Sequence, residues 1–356
     1  MTESSEVVSS SPALTTSDVH VALGSRGVSR GALVEVGEEV DALGFGGLWV
    51  TESSGRDAFS VLTEIALRTR RAALGTGIVN NYGRTPSTLA MAAASLAEIA
   101  GGRTVHLGIG ASSKAVVEGF HGVPFVAPAA RMVETLQIIR EALSGERMHH
   151  RGKYFNLDGR FTLELSSQAA AVKLFVSALS ARMLQVTREH ADGWLGIWVS
   201  KSRFGPLLEA LSQTEEPRGD SPSIAAYIYT YVGDRDLGRS ALRSSLARYV
   251  AASGIAYTRL FRSYGFDSEV DAVLDAWSVG DRAATSKAVT DEMLDDFCLL
   301  GDPRSVVADI SVFRRVGVQT PILRFPDGLS AEGMVEMLRG VAVAVAEGAG
   351  TGGGQP

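Results

Sequence analysis

Short apolar runs alternate with longer amphipathic stretches through most of the chain. The runs VHVALG (19–24), GGLWV (46–50), ALGTGIV (73–79), TVHLGIG (104–110), KLFVSAL (173–179), GWLGIWV (193–199), IAAYIYTYV (224–232) and TPILRFP (320–326) read as strands. Each is nearly continuous in apolar residues, the pattern of parallel strands buried on both faces. The stretches between them predict helices over 31–43, 57–70, 86–100, 129–143, 303–316 and 331–346, with a short one near 114–119. A polar hairpin, ERMHHRGKYFNLDG, and a helical insertion over about 237–296, near the seventh repeat, interrupt the rhythm. Eight βα repeats predict an α/β fold, a (β/α)8 TIM barrel. A doubly wound open sheet would need a Gly-rich first turn, and GSRGVSRG after the first strand lacks the G-x-G-x-x-G spacing. A single barrel domain is expected over 18–346, between disordered tails at 1–17 and 347–356.

One strand is irregular. Gly75 and Gly77 interrupt the third apolar run, and Asn80 and Asn81 follow it. Glycine weakens a strand and marks a bulge or a close approach to its backbone. A barrel carries its chemistry on the loops after the C-terminal ends of its strands. That rule selects residues 24–25, 51–55, 80–85, 111–113, 180–181 and 199–201, and the loops after strands seven and eight.

Composition leaves this picture in place. Hydrophobic residues make up 45% and charged residues 21% of the 356, as in ordinary globular proteins. Cys298 is the only cysteine, so neither an internal disulfide nor a thiolate metal cluster can be built. The formal charge is −6 with interspersed signs, and no basic stripe marks a nucleic-acid partner. No apolar stretch reaches the roughly 18–20 residues of a membrane span. The first residues lack the basic start and apolar run of a signal peptide. A cytoplasmic protein with no membrane or nucleic-acid partner is expected.

Several strand ends carry candidate chemistry. Glu52, in WVTESSGRD, stands after the second strand. It can accept from a polar heterocycle or alcohol, or cap the helix beginning near Asp57 as a solvated carboxylate. LGIGASSKA places Ser112 and Ser113 before a helix whose first N–H groups could meet an anion. SALSARML does the same with Ser180, as a helix cap or a phosphate cradle. His121, in EGFHGVPF, is the histidine to test for proton transfer. His149 and His150 are expected to be exposed in the hairpin, and no histidine has metal-ligand spacing. G-x-S-x-G, H-E-x-x-H and Walker signatures are absent from the sequence. A small, apolar, hydroxyl-rich mouth suits a bound cofactor better than a self-contained acid/base site.

ALGFGGLWVTE, LGTGIVNNYGRTPSTLAMAAASLAEIAGGR, LGIGASS, VEGFHGVPF, ARMVETLQIIREAL, SARMLQVTREHADGWL and GDPRSVVADISVFRRVGVQTPILRFP occur in this order. Together they resemble the bacterial-luciferase-like monooxygenase superfamily, in particular its deazaflavin (coenzyme F420)-dependent branch, related to methylenetetrahydromethanopterin reductase. The resemblance covers about 19–346. It implies the barrel, an insertion that helps to cover the active site, and a homodimer paired through helices of the N-terminal half. It also implies a non-prolyl cis bond between Gly77 and Ile78, in a bulge supporting the back face of the deazaflavin ring. By the same resemblance Asn80 contacts the cofactor tail or ring edge, and Glu52 is the acidic residue near the ring. Gly24, Ser112 and Ser113 join the cofactor-binding set, and Leu179, Ser180 and Ala181 cradle the cofactor phosphate. ALSAR departs here from relatives that often have glycine or proline.

Two further departures bear on the reaction. Relatives that oxidise alcohols or sugar phosphates carry a histidine after the acidic residue of strand two, where this chain has Ser53. They also carry a glutamate in the strand-four loop, where it has Ser113. Alcohol oxidation needs a base to take the hydroxyl proton. Without that pair, the resemblance implies an F420H2-dependent reductase that transfers hydride to an activated C=C or C=N bond. The substrate would be a small molecule or peptide, such as a natural-product intermediate of cyclic imine or dehydroamino acid type. Tyr82, His121 or Glu52 would complete protonation. The alternatives are an FMN-dependent monooxygenase on the same fold and a non-catalytic barrel acting as a binding or assembly subunit.

Overall fold

A computed structural model describes residues 13–24, 27–212 and 221–351. The strands are β1 (His20–Leu23), β2 (Gly47–Val50), β3 (Ala73–Thr76), β4 (Val79–Asn80), β5 (Val105–Gly110), β6 (His149–Arg151), β7 (Asn156–Asp158), β8 (Val172–Val176), β9 (Gly193–Ile197), β10 (Ser223–Val232), β11 (Cys298–Gly301) and β12 (Thr320–Arg324). Parallel pairing runs β1–β2–β3–β5–β8–β9–β10–β12 and returns from β12 to β1. The ring closes as the predicted (β/α)8 barrel. β4 continues the position of β3 along β5, and β11 lies along Tyr229–Val232 of β10. β6 and β7 form the polar hairpin.

Strand residues divide between two cores. On β10, Ile224, Ala226 and Ile228 face the helix layer, whereas Ala225, Tyr227 and Tyr229 face the lumen. That alternation follows from the two-residue period of a strand. The lumen is filled with rings. Trp49 is fully buried, donates from Nε1 to Nδ1 of His20 (3.0 Å), and stacks on His106 with centroids 4.9 Å apart. Burial lowers both imidazoles, His20 to about 4 and His106 to about 3.

The glycines of the irregular strand answer to these rings. A Cβ on Gly75 would lie 2.5 Å from the Trp49 ring, and one on Gly77 1.4 Å from the Tyr227 hydroxyl oxygen. What approaches the third strand from inside the barrel is therefore the chain's own aromatic residues.

The insertion forms where expected, as helices Arg235–Ala252, Ile255–Ser263, Asp267–Ser278, Arg282–Lys287 and Asp291–Phe297. Its Leu246, Val250, Phe261 and Phe297 share one core cluster with Trp49, Tyr227 and Tyr229, so it covers the C-terminal end of the lumen. Among the described residues no helix is long and apolar enough to cross a membrane.

The structure also corrects the reading. Helix Gly205–Ser212, the 3-10 turn Ser166–Ala171 and β11 were not expected. Residues Thr16–Asp18 form a 3-10 turn inside the segment expected to be disordered. Both the backbone N–H and the hydroxyl of Thr15 donate to Asp18 at 2.8 Å, and Leu14 packs on the core. At the other end, the closing helix runs Ala331–Thr351, past the start of the expected Gly-rich tail. Extending an existing helix costs far less than nucleating one, so the glycines do not stop it at once. The expectations for 1–12, 352–356 and Ser25 lie outside the described residues. His149 is exposed as expected, but His150 is half-buried, with Nε2 3.5 Å from the Glu134 carboxylate. Glu134 accepts from the backbone N–H groups of Lys153, Tyr154 and Phe155 and draws the hairpin onto helix Pro128–Ser144.

Candidate functional site

The third strand leaves its ladder at the mouth. After Thr76 the Gly77–Ile78 peptide bond is cis, as the resemblance implied, and pairing resumes at Val79. The Gly77 N–H donates to the Val50 carbonyl (2.8 Å), and its carbonyl accepts from the Tyr227 hydroxyl (3.2 Å). Val79 and Asn80 stand opposite Ile109 and Gly110. The Ile78 side chain lies over Gly110, where a Cβ would be 2.9 Å away. At the end of β1, a Cβ on Gly24 would meet nothing within 4 Å.

Asn80 is 6% exposed and organises the next loop. Its Oδ1 accepts from the backbone N–H groups of Tyr82 (3.0 Å) and Gly83 (2.6 Å), and its Nδ2 meets Nε2 of His121 at 2.9 Å. Two predicted site residues, distant in sequence, are therefore in direct contact. Tyr82 lies in the same loop, but its hydroxyl donates to the Val126 carbonyl (2.8 Å). The Arg131 guanidinium lies 4.8 Å from its ring, and burial raises the phenol above its ordinary value.

Glu52 meets the start of helix Ala58–Arg68, as one reading of its sequence suggested, but it is paired and 11% exposed rather than solvated. Its carboxylate accepts two guanidinium N–H bonds from Arg84, at 2.7 and 2.8 Å, and one from the Ala58 backbone N–H at 2.9 Å. Arg84 also pairs with Asp57, the side-chain cap of helix Ala58–Arg68. Arg84 was missed, because an ion pair across 32 residues leaves no local pattern.

Ser113 and Ser180 are side-chain caps, accepting from the N–H groups of Val116 and Met183. Ser112, at φ 60°, is exposed, and so are Ser180 and Ala181, while Leu179 is half-buried against the lumen cluster. β5 and β8 are neighbours, so the two capped helices begin on adjoining strand ends. Trp198, Tyr227 and Arg324 also belong to this end of the lumen and were not singled out from the sequence. The only hint of them was position near the ends of apolar runs.

A cavity of about 620 Å³ opens at the opposite end of the barrel, lined in part by His106, Arg140, Lys173, Arg188 and Asp192. Arg140 there is already bonded to the His190 carbonyl and Asp192, which makes it a structural clamp. Among the described residues no group of His, Cys, Asp or Glu is placed to hold a metal ion.

The sequence profile described as luciferase-like monooxygenase matches residues 13–320. Over 305 residues the chain is 30% identical to the 5,10-methylenetetrahydromethanopterin reductase of Archaeoglobus fulgidus, covering 83% of this chain and 90% of that protein. The structure of the coenzyme F420-dependent tetrahydromethanopterin reductase from Methanopyrus kandleri aligns with a TM-score of 0.73 at 23% identity, over 91% of this chain and 97% of that one. An F420-dependent secondary alcohol dehydrogenase, in complex with an F420–acetone adduct, gives 0.67 at 15% identity, over 93% and 99%. At these identities the structural likeness is one of fold. By the profile match and the 30% identical reductase, the chain belongs to the luciferase-like monooxygenase family.

Proposed function

We propose that this chain is a coenzyme F420-dependent oxidoreductase that acts as a reductase on an activated C=C or C=N bond. The observation that carries the reading is the interruption of the third strand at Gly77–Ile78, between Thr76 and Val79. It is joined by 30% identity over most of the chain to a protein named as a reductase. The residues fit a flat ring with an anionic tail. Gly77 and Ile78 would lie under the ring, with Gly24 leaving room beside it and Asn80 at its edge. The N–H groups around Ser112–Ser113 and Leu179–Ala181 would meet the phosphate. Reduced deazaflavin, when bound, supplies a hydride from its ring carbon.

This chain's own groups would orient the substrate and supply a proton. His121 is the strongest candidate, because the Tyr82 hydroxyl is bonded to Val126 and both Glu52 oxygens are engaged by Arg84. Glu52 then acts by holding Arg84 at the rim. Ser113, where alcohol-oxidising relatives carry a base, caps a helix, which favours reduction over alcohol oxidation. Cyclic imines and dehydroamino acids are the substrate types this chemistry suits. A homodimer is supported by Leu67 and Met91, 62% and 57% exposed on helices Ala58–Arg68 and Pro86–Ile99.

Titration of the purified protein with F420 and with FMN tests the reading, with F420 bound and FMN not as the expected result. Tight FMN binding without F420 affinity would assign a monooxygenase instead. A folded protein that binds neither would be a non-catalytic barrel.

A further inference from the structure

Arg324 ends β12 on the inner face of the barrel, in register with Tyr229 of β10. Its guanidinium carbon lies 5.2 Å from the Tyr229 ring centre and 6.0 Å from that of Tyr227. Among the described residues no carboxylate pairs with it, and its buried Nε has no hydrogen-bond partner. Asp327, three residues on, pairs with Arg248.

Two more groups beside it are in the same condition. The Trp198 and Tyr229 rings stack with centroids 4.6 Å apart at 11°, each residue is 1% exposed, and the indole N–H has no acceptor, while the Tyr229 hydroxyl oxygen lies beside the Arg324 guanidinium with no acceptor for its own proton. Trp198 holds φ 60°, a left-handed conformation that a bulky residue adopts only where its surroundings impose it. Buried donors without acceptors are costly and rare. Tyrosine faces can hold a cation in place, but they accept nothing from Nε in the guanidinium plane. Three donors on the adjoining ends of β9, β10 and β12 lack one acceptor with several lone pairs. Tyr227 links this corner to the mouth, since its hydroxyl holds the Gly77 carbonyl.

We propose that Arg324, with Trp198 and Tyr229, binds a carboxylate carried by the substrate and so holds the reducible bond over Gly77–Ile78. The substrate class is then an unsaturated acid, an imino or enamino carboxylate, which rests on the F420 reading above and narrows it.

The test uses F420-loaded protein, wild type, R324M and R324K, titrated with pyrrole-2-carboxylate, benzoate and cinnamate, each against its neutral carboxamide. Wild type should bind at least one acid roughly tenfold or more tightly than its amide. R324M should bring that ratio close to one, and R324K should keep part of it, because lysine retains the charge without the planar fork. F420 affinity should change by less than about twofold in both variants. The ligand-free R324M protein should melt no lower than wild type, since it loses an unpaired buried cation. Should R324M fail to fold, R324K carries the comparison.

Equal binding of acid and amide in all three pairs would overturn the proposal, as would an acid preference that is undiminished in R324M or in R324K. Parallel loss of F420 affinity would assign the guanidinium to the cofactor and also overturn it. Failure of wild type to bind F420 is a failure of the cofactor reading instead. The same titrations, followed by tryptophan fluorescence on the cofactor-free protein, then decide whether the corner takes a carboxylate.

Discussion

The Asn80 amide is locked so that its Nδ2 faces Nε2 of His121 at 2.9 Å, because two backbone N–H groups already occupy its Oδ1. An amide nitrogen only donates, so Nε2 accepts and the imidazole proton resides on Nδ1. Nitrogen-15 NMR of the neutral protein should therefore show His121 as the Nδ1–H tautomer. Asn80→Asp replaces the donor with an acceptor and should move a proton onto Nε2. If His121 supplies the proton in turnover, kcat should fall about 10²-fold or more in His121→Phe. A wild-type signal from Nε2–H would remove this assignment.

How far the sequence reveals such relationships depends on their range. Parallel strands covered on both faces leave continuous apolar runs, and these located the strands of the barrel. β11 escaped because CLLG follows helix Asp291–Phe297 without a break. At the site, the glycines flagged an irregular third strand, and the resemblance placed its cis bond. Their partners were invisible: Tyr227 meets Gly77 across 150 residues and Arg84 meets Glu52 across 32. Contacts of that length are set by barrel closure, and no local spacing encodes them.

Gly77 and Tyr227 should behave as a coupled pair. Tyr227→Phe leaves the Gly77 carbonyl without its hydroxyl donor, at a cost of about 1–3 kcal/mol in urea unfolding. Gly77→Ala places a methyl 1.4 Å from that hydroxyl and should cost more than about 3 kcal/mol. Combining the two should recover only part of the loss, because the ring carbon bearing the hydroxyl would remain 2.7 Å from the new Cβ. Simple additivity of the two losses would mean that the close approach does not set the glycine.

The rim ion pair predicts an asymmetry. Arg84→Met leaves the Glu52 carboxylate, 11% exposed, with only the Ala58 N–H, and should cost about 1–3 kcal/mol after allowance for partial solvation. Glu52→Gln keeps one acceptor for the guanidinium, which retains Asp57, so the loss should stay below about 1 kcal/mol. Chemical denaturation of both variants checks the order. Equal losses would show that the carboxylate gains nothing specific from Arg84.

Acid sensitivity should begin well above the carboxylate range. His20 and His106 are depressed from 6.5 to about 4 and about 3, so below pH 6.5 the unfolded chain takes up protons that the folded one refuses. Their stabilising contribution is complete above 6.5 and is lost as pH falls toward 4 and then 3. With both sites titrating only in the unfolded state, the slope approaches about 2.7 kcal/mol per pH unit. Asp41 and Glu134 enter later. Burial alone would raise them, but the backbone N–H groups they accept lower them overall, so their contributions fade only below the ordinary carboxylate range. Urea midpoints between pH 6.5 and 5 therefore isolate the histidines. His106→Phe keeps a ring against Trp49 and removes one titrating site, so it should roughly halve the slope in that window. An acid limb unchanged in this variant would leave His106 without a share in acid unfolding.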